Sequence, residues 1–284
     1  MFLALSLSLM ITAALTPSFA FADEGDNLVD KGTNSTDDYG LITKNLESTY
    51  NQTDFETSIA VQDKVNVNGG NISVNSVYPG GANPNAPKAE YDVVLGKDFE
   101  GHYANGDGTN GKWNSEIDGK MVTTSKPEKS ESGAKYASIA VEDDEWFKGA
   151  FDNAQALIDY VEKNGELKDG KYVIDGKTYV FIEGDIANKV TASDGSLVDA
   201  SASDLVKGTD DSKGRDIGNS ITYLCKLAQV KIIGSQLYGN FYAPDAVIDI
   251  SGSNICGQVI CDTWKVSNGA EVHMPNNGIK ASTT

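Results

Sequence analysis

The chain has 284 residues, of which 23 are Lys or Arg and 41 are Asp or Glu, leaving a formal net charge of −18. Such acidity argues against nucleic acid and anionic membrane surfaces as partners, since both repel a negative surface. The length suffices for one large domain or two small ones, and the acidic residues are scattered rather than blocked, as on solvated faces.

Residues 1–22 carry no charge. Phe2 to Leu15 is largely apolar, Ala20-Phe21-Ala22 is a cleavage site of the A-x-A kind, and acidic Asp23-Glu24 follows. This reads as a secretory signal peptide, although no Lys or Arg precedes the apolar stretch. The run is short for a membrane span and lacks basic flanks. The expected location is extracellular, with cell-surface association left open. Residues 23–37 are polar and acidic and read as a flexible leader.

Ordered structure is expected from Leu41-Ile42. Ile59 to Val77 alternates apolar and polar residues around Gly69-Gly70, which predicts strand, turn, strand. Tyr78 to Pro87 and residues 101–111 are rich in turn formers and read as surface loops. Tyr91 to Gly96 reads as a strand. From Phe147 the apolar positions Ala150, Phe151, Ala154, Leu157, Ile158 and Val161 are spaced by threes and fours, which predicts an amphipathic helix. Asp143 or Asp144 can cap its start, and Asn164-Gly165 predicts a left-handed stop. Asp175-Gly176 between Tyr172-Val173-Ile174 and Lys177 to Ile182 is a hairpin signal. Residues 188–220 are polar and read as a surface excursion.

The carboxyl-terminal part repeats itself. Gly234 to Ala243 aligns without gaps on Gly252 to Cys261, with Val230 on Ile248 and Ile232 on Ile250. Val266 to His273 is a weaker third copy, slipped by one residue. A short period of β-type segments punctuated by Gly marks stacked rungs, and one rung cannot bury its own apolar face. The predicted fold is mainly β: a β-solenoid (β-helix) with one long α-helix packed along its side. The domain reading is an adhesive β-solenoid over 38–275 and a polar tail over 276–284.

No catalytic, cofactor-binding or metal-binding residue is assigned. The two histidines, His102 and His273, lack partner patterns for zinc or a nucleophile and read as surface or edge imidazoles. No nucleophile elbow, phosphate loop or dinucleotide fingerprint occurs. Calcium has no D-x-[DN]-x-[DN]-G loop, and Asp107, Asp118, Asp210 and Asp211 have no ligand spacing. Paired carboxylates on adjacent rungs could cleave a glycosidic bond, and Asp245, Asp249 and Asp262 are the candidates. Their turn-like context is equally explained by local hydrogen bonding. Ice binding would require regular Thr rows, which the repeats lack.

Three cysteines leave two readings. Cys225 could pair with Cys256 from the preceding rung, or all three, with Cys261, are small core residues. On the first repeat strand, Leu237, Gly239, Phe241 and Ala243 share the core face, so Tyr238, Asn240 and Tyr242 point the other way. These three form the candidate ligand-binding row, since exposed aromatics on a rigid sheet suit sugar or protein contact. The alternative is that they pack beneath the helix.

Four segments resemble the choice-of-anchor A family of bacterial adhesive domains. Gln236 to Ala246 is similar to its "G-s-i-l-A-P-n-A" signature, Ile255 to Ile260 to "i-n-G-q-v-i", and Gly269-Ala270-Glu271-Val272-His273 to "G-g-E-l-H". Asp54 to Val61 resembles "s-D-v-E-G-r-l-A-V-g-G-n", with Thr57 in place of Gly. The resemblance implies a surface adhesin related to ice-binding-like adhesive solenoids, some relatives being collagen-binding, with no enzymatic residues. The implied partner is an extracellular matrix protein, a glycan or a neighbouring cell-surface protein. Pro275 to Thr284 shows no sorting motif, which leaves surface retention open. The competing expectations are a polysaccharide-active parallel β-helix enzyme and a matrix subunit that self-associates through the solenoid ends.

Overall fold

The repeat is a stack with an 18-residue step: Val230 lies beside Ile248, Ile232 beside Ile250, Leu237 beside Ile255, all in parallel register. The slip of the third copy is the sum of two register shifts: the corner between Ala243 and Val247 shortens the next rung, a bulge between Ile250 and Ser251 gives back part of that loss, and the pairing then runs from Ser253↔Ala270 to Cys256↔His273. These positions come from a computed structural model, which describes residues 35–50, 53–68, 72–76, 86–104, 116–123, 137–205 and 212–282. The signal peptide, most of the leader, the Gly69-Gly70 turn, Asp107, Asp210 and Asp211, and most of the two Gly-rich loops lie outside the described residues.

The fold is mainly β, and its parallel strands fall into three stacks. The first runs through Lys177–Ile182, Ile221–Cys225, the starts of Asn240–Cys256, Val259–His273, Leu41–Ser48 and Ile59–Val67, then Val93–Gly96 and Ile139–Glu142. The second uses Ile186–Ala187, Gln229–Ile233 and the later parts of the same four strands. The third joins Gln236–Tyr238, Asn254 to Cys256, Glu271 to His273, Thr53–Phe55, Ile72–Ser73 and Lys120–Thr123. The sheet does not close on itself. Strand Leu41–Ser48 pairs on one side with Val259–His273 and on the other with Ile59–Val67. The amino-terminal strands therefore continue the pile that the carboxyl-terminal strands begin.

Alternation decides what is inside. Tyr223, Phe241, Val259, Leu41, Ile59 and Val93 form one buried row, and Val230, Ile248, Trp264, Leu46 and Val65 another. Each large apolar side chain so buried contributes about 1.5–3 kcal/mol relative to exposure. The corner between third and first stacks is set by Gly239 and Gly257, at φ 153° and 152°. A Cβ on Gly257 would stand 2.5 Å from the Gly239 carbonyl oxygen, so the close approach of successive backbones requires glycine there.

The predicted helix exists as α1 (Asp144–Asn164). The Asp143 carboxylate accepts from the Trp146 amide at 3.0 Å, as expected of the cap. Its apolar stripe, Phe147, Ala150, Ala154, Leu157, Ile158 and Val161, packs on the outward row Leu224, Tyr242, Ile260, Ile42, Ala60 and Val94 of the first stack. The stop differs from expectation. Gly165 is extended, at φ −72°, and is small because the Tyr172 ring and the Val161 carbonyl leave no room for a Cβ. Asp175-Gly176 forms the predicted hairpin turn at φ 49° and 78°. Asp169-Gly170, at φ 51° and 77°, forms a second one before it that the apolar pattern did not signal.

The stretch read as a surface excursion is instead a cover. Leu205 and Ile217 pack on Val190, Tyr238 and Cys256, and the short helix α2 (Ser212–Ile217) lies over the third stack. The segment after His273 lies against it. Asn276 donates its amide to the Arg215 carbonyl at 3.2 Å, and Asn219 Nδ2 donates to the Gly278 carbonyl at 2.9 Å.

Candidate functional site

None of the candidate binding row reaches solvent. Tyr238 and Asn240 are 0% exposed and Tyr242 2%. The side chains do point away from the core row, as alternation requires, but each is covered. Gly214 of α2 sits against the Tyr238 ring so closely that a Cβ there would fall 2.2 Å from it. Asn240 Oδ1 accepts from the Gln258 amide at 2.8 Å, and its Nδ2 donates to the Lys280 carbonyl at 3.2 Å. Tyr242 lies under α1, donates to Gln258 Oε1 at 2.7 Å and accepts from the Ser282 amide at 2.8 Å. The expectation of an exposed aromatic row is thereby corrected: these residues join the rungs to their covers.

The cysteine pair is corrected in the same way. None of Cys225, Cys256 and Cys261 forms a disulfide, and all three are buried. Cys225 lies in the interior row of the first stack, with Ala243 and then Cys261 on the following rungs, whereas Cys256 lies in the third stack beside Tyr238 and His273. Burial pushes the Cys261 thiol up to about 12.

Asp245, Asp249 and Asp262 are placed differently from one another. Asp245 is exposed at the corner after the first stack. Asp262 follows that corner on the next rung and is held by Lys44 at 2.8 Å, and Asp249 stands on the second stack 3.8 Å from Lys265. The carboxylates of Asp249 and Asp262 thus each face a lysine. His102 is exposed.

His273 is not a surface imidazole. It is 8% exposed, in a polar cluster on the third stack. Asp54 stands beside Glu271 and Phe55 beside Val272, so the D-x-E and E-x-H segments, far apart in sequence, are neighbours in space. Arg215 from α2 enters between them. Its guanidinium donates to both Glu56 oxygens, at 2.5 and 3.2 Å, and to the Met274 carbonyl at 3.0 Å. It also lies 3.2 Å from His273 Nδ1, while His273 Nε2 is 3.1 Å from Glu271 Oε2. A guanidinium only donates, so Nδ1 accepts and Nε2 carries the proton towards Glu271. Burial, and then the charge of Glu271, push the Asp54 carboxyl up to about 7. Glu56, Glu271 and His273 present donor atoms within 4.8 Å of one another, a spacing a metal ion could use. Arg215, with 4% of its side chain exposed, already bonds Glu56 bidentately and meets His273. The cluster is a latch that holds α2 on the stack.

Sequence reasoning missed this latch although a signal was present. Arg215 is the only arginine in a chain whose other basic residues are all lysine. A planar fork that matches a carboxylate bidentately is the one thing lysine cannot supply.

With the first stack under α1 and the third under α2 and the chain's end, the second stack presents the open face among the described residues. Its outward rows are mostly polar, with Val247 half-buried and Thr263 buried among them. Lys231, Asp249, Lys265 and Glu47 lie on successive rungs in one line, and Gln229, Val247, Thr263, Asn45 and Lys64 in the next. Ile233, 45% exposed, adds an apolar edge. The arrangement offers a rigid array of charges and amides with little ordering entropy to lose on contact.

Residues 221–274 match the model of a family described as "Putative Ice-binding-like adhesive domain". The matched segment is the run of repeated rungs. No curated protein matches the chain. The family match suggests an adhesin-like role, an external partner and an extracellular location. Among the described residues no helix is long and apolar enough to cross a membrane.

Proposed function

We propose that the chain is a secreted or cell-surface adhesive β-solenoid that binds an extracellular matrix protein or glycan and performs no catalysis. The observation that carries this reading is the adhesive-family match over 221–274, the segment that builds the in-register rungs. The open second stack supplies the contact surface, because its side chains are fixed by the strands beneath them. The choice-of-anchor A relationship, and with it collagen as one ligand, belongs to this proposal. Asp249 and Asp262, each facing a lysine, favour a surface role over the polysaccharide-cleaving alternative.

The test is binding of the full mature chain to an array of matrix proteins and glycans, with reducing-sugar release followed on the same glycans. Saturable binding that weakens when Lys231 and Lys265 are both replaced by Ala, without sugar release, is the expected result. Sugar release that disappears in Asp249→Asn or Asp262→Asn would overturn it.

A further inference from the structure

The open face carries a charge pattern that is complementary to itself. Along the stack the line reads Lys231, Asp249, Lys265, Glu47, alternating in sign on successive rungs. Asp185, exposed before Ile186, extends it by one more negative charge at the Lys231 end. Lys64 stands in the adjacent line, on the rung after Glu47. In these rows, with Glu100 beside Lys64 on the next rung, three lysines meet four carboxylates, on a chain whose net charge is −18. The open face is thus close to neutral, where the rest of the acidic surface repels another copy.

From this arrangement we propose that the second stack is a homophilic interface, on which a second copy of this chain docks face to face and antiparallel. Two copies related by a two-fold axis can meet on this face in two ways. An axis along the stacking direction sets each rung against itself, so that Lys231 meets Lys231 and Asp249 meets Asp249. An axis along the strands, passing between the Asp249 and Lys265 rungs, reverses the line. Asp249 then faces Lys265 of the other copy, and Lys231 faces Glu47, at both ends of the contact. The same operation sets Gln229 against Asn45 and Val247 against Thr263. An isologous contact demands this kind of self-complementarity, and the alternating line meets it in one of the two orientations and at a defined register.

Size places the contact in the transient class. Six strands about 4.8 Å apart and five residues at about 3.3 Å give a patch of roughly 25 by 16 Å, at the low end for protein interfaces. Weak contacts of this kind act through number, as when many copies stand on one surface and meet many on another. The ends of the stack are the expected route for self-association. The strand Glu166–Lys168 at one end is short and carries a charge at each terminal residue, a pattern that blunts edge pairing.

The test is sedimentation equilibrium of the full mature chain over a concentration series, in about 50 mM and about 500 mM NaCl. The wild type should show a monomer–dimer equilibrium that weakens in high salt. Lys265→Glu and Asp249→Lys each set like charges across the centre of the contact, and each should raise the dissociation constant about tenfold or more. Mixed in equal amounts, the two variants should form a heterodimer with affinity within about threefold of wild type, because every central pair is again opposite in sign. Recovery on mixing separates a broken contact from a broken fold. A wild type that stays monomeric at about 1 mM in low salt, single variants that associate like wild type, or a mixture that does not recover overturns the pairing. So does a monomer whose second stack is protected from hydrogen exchange only by a glycan or matrix protein. Array binding is read separately: a dimer that binds nothing on the array sinks the heterologous adhesive reading and leaves the pairing standing.

Discussion

Asp54 makes the third stack pH-sensitive in a direction opposite to most carboxylates. It is 5% exposed and lies in register between Glu271 and Ser73. Burial first, and then the charge of Glu271, push its carboxyl from 3.8 up to about 7, against opposing contributions from Ser76 and His273. A carboxyl that keeps its proton to about 7 when folded, but loses it near 3.8 when unfolded, makes the folded chain the better proton binder between those values. Stability therefore falls as pH rises through that window. At about 1.4 kcal/mol per unit the ceiling is roughly 4 kcal/mol, and relaxation of the neighbouring latch brings the expectation to about 2. Asp54→Asn keeps the shape and removes the titration. Urea unfolding between about pH 4.5 and 7.5 should show the wild type losing about 2–3 kcal/mol more than the variant. The difference between the two is the readout, because Asp38 and Asp63 are also raised by burial and slope the background the same way. A wild type no steeper than the variant, or a variant less stable at pH 7.5, would refute the reasoning.

Three further outcomes follow from the packing. Gly257→Ala should destabilise by about 3 kcal/mol or more, because its Cβ meets the backbone of the rung below, whereas Gly252→Ala, at φ 54° with open space around it, should cost about 1 kcal/mol; thermal unfolding of the two compares them directly. Tyr242→Phe removes a donor to Gln258 and an acceptor for Ser282 and should cost about 1–3 kcal/mol in urea unfolding. The three thiols should resist a thiol reagent in the native chain and react together on unfolding, with no mass change on reduction; a disulfide between Cys225 and Cys256 would show as a mass change of about 2 Da.

What could be read from the sequence was what repeats locally. The step between Gly234 and Gly252 was visible because each rung needs the same glycine at the same turn, and the helix because its apolar stripe has the helical period. The covers were not legible. Tyr238 and Tyr242 were placed on the outward side by alternation, but alternation carries no information about what lands on that side afterwards. The latch was equally hidden, since Asp54, Glu56, Glu271 and His273 become a cluster only when distant rungs stack and a polar stretch delivers Arg215. The register of Leu41–Ser48 was hidden for a related reason. Its pairing with Ile59–Val67 keeps the apolar character of Leu41↔Ile59 and Leu46↔Val65 but none of the residue identities that made the later copies align.

That placement has a mechanical consequence. Leu41–Ser48 is an interior strand, hydrogen-bonded on one side to the carboxyl-terminal rungs and on the other to the amino-terminal ones. Residues from the two ends of the described chain therefore lie rung against rung in the middle of the pile, not at its ends. The Gln258 amide reinforces the junction by donating to the Thr36 and Tyr39 carbonyls at 2.9 and 3.0 Å. A stack whose order followed the sequence could fray one rung at a time from a terminus. Here the amino-terminal rungs gain their neighbour only after the last rungs exist. The shuffled order couples the rungs into one cooperative body. The open second stack is then displayed on a support that yields as a whole.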